Sequence, residues 1–544
     1  MASLSIDDRQ FKFYKDYAIP HTVSLIEKKI RQISFSIRSK DSWYTKYKDP
    51  EISAKWKDEI RRDLAAQNST NIEDIIKYVF DELEYFHSVE SAVKFRYRLG
   101  YNDHVVTGDN VISDELKRSF VKNAKFLEDN EETDYHPSSN EQVIDLVHPS
   151  LFPVIFGRTA TESAIIEKKE VEKKKEHSWR DYSILDSSYQ WLPCVFKVDS
   201  KGSSYKIDSY INSLHPVKYN ALYGDIENIF NSLVDGLQLT LGRSLGKDGE
   251  SAIKMPYADR EVVYDEVMTK DWKDMDLRSD SWEVAMDAFE KKYEYDHQKR
   301  LRPLEPFEYP GPPERVELDL KSQFPELKVI VKMANIELTP ERPEYPGGTW
   351  HVEGCDVERI IASVIYYYES DNIGESRLNF SAPMVELEAY GQDEEWAVHD
   401  LYGLEREDSL MTDQGYIVSQ QDRVVIFPNF LHHQVQPFSL KDASKPGSRK
   451  ILCYFICDPT GKHEPIWSSK DVPPQQKTWW DDQDLVSKEV REKVTALTKG
   501  ANQDFDVPIT LEEAKTIRES LMAERGTNNK NYLQYNYTFS LCEH

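Results

Sequence analysis

Two spacings of apolar residues divide the chain. In the first hundred residues they recur every three or four positions. Ile52, Trp56, Ile60 and Leu64 follow Pro50-Glu51, and Ile72, Ile75, Ile76, Val79, Phe80 and Leu83 follow Thr70-Asn71-Ile72-Glu73. Each set falls on one face of a helix, the second opening on a capping-box pattern. Leu222, Ile226, Ile229, Phe230, Leu233 and Leu237 make a further helical face, expected to pack on the outside of a sheet. From Leu327 the spacing changes. Val329–Leu338 and Ile360–Tyr368 are strand-like runs, the second β-branched and aromatic. Shorter strands are expected at Ser376–Ser381, Gly415–Val418, Arg423–Phe427, His433–Phe438 and Lys450–Cys457. Helical spacing returns behind a second capping box, Thr510-Leu511-Glu512-Glu513, through Ile517 and Leu521.

Short strands separated by turn residues point to a β-sandwich or jelly roll. The expected fold class is therefore α+β, a jelly-roll core flanked by helices, in four parts: an N-terminal helical region (1–100), a mixed helical and irregular region packing on the core (101–325), the core (326–475) and a helical tail (476–544). Within the second part, Val143–Pro153 reads as a buried extended segment with proline-directed turns, and its His148 as a hydrogen-bonded structural histidine. The Lys/Glu run Glu167–Glu176 reads as a solvated loop or exposed helix, and Ala252–Pro313 as long connecting structure over one rim of the core.

Composition narrows the classes. With 39% hydrophobic and 12% aromatic residues the chain has the material for a core, which argues against long disorder. A net charge of −27 repels phosphate backbones and anionic lipid, so neither nucleic-acid nor membrane binding is expected. No apolar run has membrane-spanning length, and Met1–Asp8 lacks the basic flank and apolar core of a signal peptide. Five cysteines without zinc-like pairing suit a reducing compartment, so a cytoplasmic or nuclear location is expected.

The candidate chemistry lies between Gly347 and Arg449. His351 and Glu353, entered through Gly347-Gly348, are two residues apart, so on a strand they face the same way. Taken alone, an H-x-E triplet is a weak signal. A distal histidine would complete two imidazoles and a carboxylate, the facial triad that holds non-haem Fe(II) and leaves coordination positions open. His432 and His433 are adjacent and face opposite sides of a strand. His433 is preferred because the turn at Phe427-Pro428 and the alternation through Val435 and Pro437 set the register. Arg449 begins the last core strand behind Pro446-Gly447-Ser448, where a guanidinium suits bidentate capture of a dicarboxylate co-substrate.

These motifs carry a resemblance. The stretch resembles the double-stranded β-helix of Fe(II)/2-oxoglutarate-dependent oxygenases, and is more closely similar to a mainly fungal family known as domain of unknown function 4246. The similar runs are Val143–Thr159, Ala334–Pro340, Gly347–Gly354, Tyr366–Phe380, Phe427–Pro437, Lys450–Pro459 and Thr510–Lys515, so the likeness spans nearly the whole chain. It implies His351, Glu353 and His433 as iron ligands and Arg449 as the 2-oxoglutarate anchor, with a small-molecule or peptide substrate left unnamed. Two positions depart from the broader oxygenase pattern. Glu353 stands where Asp is commoner, and Ile451 stands where a hydroxyl residue often supports the co-substrate. That second contact then falls to Lys332, Asn335, Tyr366 or Tyr368. His399 is expected in an exposed loop. Two other readings stay open: a non-catalytic scaffold of the same fold, and a metal-dependent cupin-like enzyme or zinc hydrolase that does not use 2-oxoglutarate.

Overall fold

The β-rich runs after residue 326 pair into two main antiparallel sheets, with Glu344–Tyr345 and Phe438–Ser439 as a separate two-stranded ribbon, in the computed structural model of the chain. It describes residues 10–13, 17–67, 69–168, 187–249, 251, 253, 306–385, 387, 395–462, 465–483, 485–500, 508–536 and 539. Seven strands are central: β1 (Glu326–Leu338), β2 (Ile360–Asp371), β3 (Ser376–Pro383), β4 (Met411–Ser419), β5 (Arg423–Pro428), β6 (His432–Val435) and β7 (Gly447–Cys457). The larger sheet runs β5-β2-β7-β1, extended by Val106–Asp109 beside β5 and by Cys194–Val198 and Val143–Val147 beside β1. The smaller sheet is β4-β3-β6.

Alternation along the strands gives the larger sheet two chemically different faces. One packs on helices: Phe120 of Asp114–Asn130 meets Tyr368 edge-on at 4.9 Å, and Tyr454 Oη donates to the Ile226 carbonyl of Asn220–Leu245 at 2.8 Å. The Asn220–Leu245 helix thus lies against the sheet as its apolar face predicts. Gly236 sits at that contact, where a Cβ would come within 2.6 Å of Tyr97 Cε1 and 2.7 Å of Ile426 Cδ1. The other face carries Ala334, Ile336, Ile365, Ile451 and Phe455, and turns toward Leu378, His433 and Val435 of the smaller sheet across a shared cavity.

The N-terminal helices Pro50–Ala66 and Ile72–Ala92 pack their predicted faces into the same apolar core as the sheets, and a further helix, Leu25–Arg38, joins them there. The first capping box does not form. Asn71, not Thr70, caps the helix, in a left-handed conformation and without a side-chain cap bond. The second does cap its helix, with the Glu513 N–H donating to Thr510 Oγ1 at 3.2 Å, and that helix runs from Leu511 to Asn536. His399 lies on a helix, Glu395–Tyr402, rather than a loop, and its side chain is exposed beside Asp400. Most of the Glu167–Glu176 run and residues 254–305 lie outside the described residues. Cys194, Cys355, Cys453 and Cys457 are buried free thiols. Among the described residues no helix is long and apolar enough to cross a membrane.

Candidate metal centre and anion pocket

His351 and Glu353 are not on a regular strand, which corrects the sequence reading. His351 forms a single antiparallel bridge with His433: the His351 N–H donates to the His433 carbonyl at 3.1 Å, and the His433 N–H donates to the His351 carbonyl at 2.9 Å. Gly347 makes the approach possible. At φ +90° it lies against β6, and a Cβ there would stand 2.9 Å from the Val435 carbonyl oxygen. After His351 the chain bends, and Asn429 fixes the bend. Its Oδ1 accepts the Glu353 N–H at 2.9 Å, and its Nδ2 donates to the carbonyls of Glu353 at 2.8 Å and Ile360 at 3.2 Å.

The result is a compact donor set. One ligand atom from each of His351, Glu353 and His433 lies within 4.8 Å of the other two. Glu353 Oε1 stands 3.8 Å from His351 Nε2 and 3.6 Å from His433 Nε2. His351 Nδ1 donates to the Thr349 carbonyl at 2.8 Å, which leaves the Nε2 lone pair turned to the cluster. Burial opposes charge on Glu353, yet the two facing imidazoles and Lys332 hold its carboxyl well below the usual range. Burial, with His351 beside it, keeps His433 below its ordinary pKa. At His351 burial is outweighed by Glu353 and the Thr349 carbonyl, which raise its pKa, so a divalent metal would displace a proton there while meeting a carboxylate and a neutral imidazole at the other two ligands. His432, one residue away, is fully buried on the other face of the strand.

These residues line a cavity of about 420 Å³ between the sheets. Arg449 lines it too and is buried. Its Nη1 donates to Ser376 Oγ at 2.5 Å, while the guanidinium lies over the rings of Phe438 (4.8 Å) and Tyr367 (5.5 Å). Its Nε is buried without a hydrogen-bond partner, and among the described residues no carboxylate pairs with it. Lys332 also faces the cavity. Burial favours its neutral form, but Glu353 and Asp145 outweigh that and raise its pKa.

The other three suggested co-substrate contacts are elsewhere. Asn335 donates to Glu128 at 2.9 Å and accepts from Tyr368 at 3.3 Å, and Tyr366 Oη donates to Asp422 at 3.5 Å. All three side chains are on the helix-packed face. Asn335 is three residues from Lys332, an odd step that reverses the face, and on β2 it is Tyr367 that turns inward. Tyr345, overlooked in the sequence, lines the cavity 5.1 Å from Phe438, close enough for the charges of Arg449 and Lys332 to act on its hydroxyl. Its position two residues before Gly347 was the available signal.

A second cluster, His136, Asp145 and His148, borders the same cavity. It is built differently. The Ser150 N–H donates to His148 Nδ1 at 3.2 Å, so the neutral ring carries its hydrogen on Nε2 and offers a donor rather than a lone pair. His148 is thus hydrogen-bonded and buried, with its pKa pushed down to about 3 by burial.

Fold and site together define a mixed α/β protein with antiparallel sheets enclosing a His/Glu/His cluster and a buried arginine. The chain belongs to the family described as "Protein of unknown function (DUF4246)", whose model matches residues 73–483, and the family's N-terminal domain matches residues 4–59. No curated protein matches. Among solved structures, the chain is similar to the Fe(II)/(alpha)ketoglutarate-dependent dioxygenase TqaL, with 14% identity over 27% of this chain and 48% of that one, at a TM-score of 0.17. It is also similar to AviO1 from Streptomyces viridochromogenes (13%, covering 26% and 54%, TM-score 0.15) and to a Pseudomonas putida prolyl-4-hydroxylase (10%, covering 38% and 90%, TM-score 0.13). The chain thus spans about half the length of the first two, and at these scores the likenesses carry no argument.

Proposed function

We propose that the protein is an Fe(II)- and 2-oxoglutarate-dependent oxygenase acting on a C–H bond of a small-molecule or peptide substrate, with the two sheets forming a double-stranded β-helix. The donor set suits the metal: two imidazoles and one carboxylate, on one side, with positions left for other ligands. The observation that carries the co-substrate is Arg449, a buried guanidinium without a counter-ion among the described residues, in the cavity that holds the cluster. A buried cation is tolerated when an anion meets it, and a carboxylate matches its fork.

His351, Glu353 and His433 would hold the iron, and Arg449 the far carboxylate of 2-oxoglutarate, with Tyr345 and Lys332 as flanking donors in place of the hydroxyl missing at Ile451. When bound, iron and co-substrate supply the oxidising chemistry, with succinate and CO2 as co-products. The chain's own part is positioning. Asn429 fixes the backbone of Glu353, Thr349 orients His351, and Ile365, Leu378, Ile451 and Phe455 keep the cavity apolar and exclude water.

The test is an anaerobic Fe(II) titration with 2-oxoglutarate, watching for the visible metal-to-ligand charge-transfer band. Metal binding without the band would refute 2-oxoglutarate use and leave a cupin-like metalloenzyme; no metal binding would leave a scaffold.

A further inference from the structure

The cavity is lined by two arginines in opposite electrostatic situations, Arg449 buried and Arg525 half-buried. Arg449 has no carboxylate partner among the described residues. Arg525, on the Leu511–Asn536 helix, has one: its Nη2 donates to Glu358 Oε1 at 2.6 Å, and Glu358 is completely buried. Arg525 Nε and Nη1 are nonetheless buried without hydrogen-bond partners among the described residues, and the residue lines the cavity. Its guanidinium lies 4.4 Å from the centre of the Trp191 ring, which stacks on Phe455 at 6.0 Å.

The same wall carries a matching acceptor. Asp145 Oδ2 accepts from His136 Nδ1 at 2.9 Å and from Arg518 Nη1 at 3.3 Å, so its charge is already met. Its Oδ1 is buried without a hydrogen-bond partner among the described residues. Arg518, Leu521, Met522 and Arg525 follow one another at steps of three, one and three, so one helix face presents both arginines with apolar residues between them. His148 adds an Nε2–H donor.

From this we propose that the wall formed by Trp191, Phe455, Asp145, Met522 and Arg525 is the primary-substrate subsite, and that it takes an uncharged group able both to accept and to donate hydrogen bonds, a carboxamide, on an apolar body. The proposal rests on the oxygenase reading for its meaning, because it assigns the anion to Arg449 and the substrate to Arg525. Each charge on this wall is already neutralised within the protein, so an ionic substrate group would enter without a counter-charge, whereas an amide satisfies the leftover N–H groups and Oδ1 at no such cost. Trp191, Phe455, Leu521 and Met522 supply the apolar contact.

The experiment uses the full chain loaded with Zn(II) and 2-oxoglutarate, and three probes of one size: hexanamide, hexanoate and hexylammonium. Binding is followed by ligand-observed saturation-transfer NMR. The amide is expected to bind about tenfold or more tighter than either ion. Met522→Trp, which fills the subsite without touching an ion pair, should abolish amide binding and leave 2-oxoglutarate affinity unchanged. Arg525→Lys, which keeps a cation opposite Glu358 but loses the fork, should weaken the amide about tenfold. Hexanoate or hexylammonium binding as tightly as the amide, amide binding that survives Met522→Trp, or no amide binding at all would overturn the proposal. Zn(II)-dependent 2-oxoglutarate binding is read in the same samples. Its absence refutes the oxygenase reading, while amide binding lost to Met522→Trp still supports the subsite.

Discussion

Replacing Arg449 by Met tests the co-substrate assignment through two opposite effects. The guanidinium is buried, bonded through Nη1 to Ser376 and without a carboxylate partner among the described residues. If it receives a carboxylate as a fork, the substitution removes two charge-assisted hydrogen bonds, about 3–6 kcal/mol at about 1.5–3 kcal/mol each. At about 1.4 kcal/mol per decade, 2-oxoglutarate binding should weaken by roughly 10²–10⁴-fold. Stability reports this directly. Ligand at about 100 times its dissociation constant stabilises the wild type by about 2.7 kcal/mol, and the same concentration should stabilise Arg449→Met by about 0.4 kcal/mol or less. The ligand-free variant should be no less stable than the ligand-free wild type, because the methionine removes an uncompensated buried charge while keeping most of the volume. Denaturant unfolding of Zn(II)-loaded protein, with and without 2-oxoglutarate, measures both. Retention of the ligand-induced stabilisation would refute the anchor. A ligand-free variant several kcal/mol less stable would refute the claim that Arg449 lacks an internal counter-ion.

Four further outcomes follow from the same geometry. His433→Ala should abolish stoichiometric metal binding in a titration while His432→Ala spares it, and the reverse would reassign the ligand. Asn429→Ala removes the side chain that brackets Glu353 on both sides of its peptide unit, and should weaken metal affinity about 10–100-fold; unchanged affinity would show that the bend holds itself. Because burial pushes His148 down to about 3, against an unperturbed 6.5, the folded state favours the neutral ring. Its contribution is fully present above pH 6.5 and is lost as pH falls toward 3. His148→Asn should flatten that part of the acid-unfolding profile, and an identical profile would refute the neutral assignment. Gly236→Ala should destabilise by about 1–3 kcal/mol through its clash with Tyr97 and Ile426, although alanine is the better helix former by about 1 kcal/mol. A stabilised variant would show that the helix can move off the sheet.

The sequence was most legible where one periodicity governs a long run. β1, β2 and β7 each contain the strand predicted for them, because β-branched and aromatic residues there must cover both a helix layer and a cavity. The expectations that failed did so where a tertiary contact replaces the period. Asn335 and Tyr366 share hydrogen-bonding chemistry with Lys332, yet strand alternation turns them to the helices, and the odd step from Lys332 separates Asn335 from it. His351 and Glu353 reach the same side, but through a bridge to His433 and the clamp of Asn429 rather than through strand pleating. Arg518 and Arg525 show a deeper limit. On a helix read from Ile517 and Leu521 they look like its solvated face, whereas in the fold Arg518 is buried against Asp145 and Arg525 is half-buried against Glu358, residues more than 160 positions earlier. Whether a buried arginine is neutralised cannot be seen in its neighbours along the chain. It depends on which carboxylates the fold brings to it, and that difference is what separates the anion site proposed at Arg449 from the neutral, hydrogen-bonding wall proposed at Arg525.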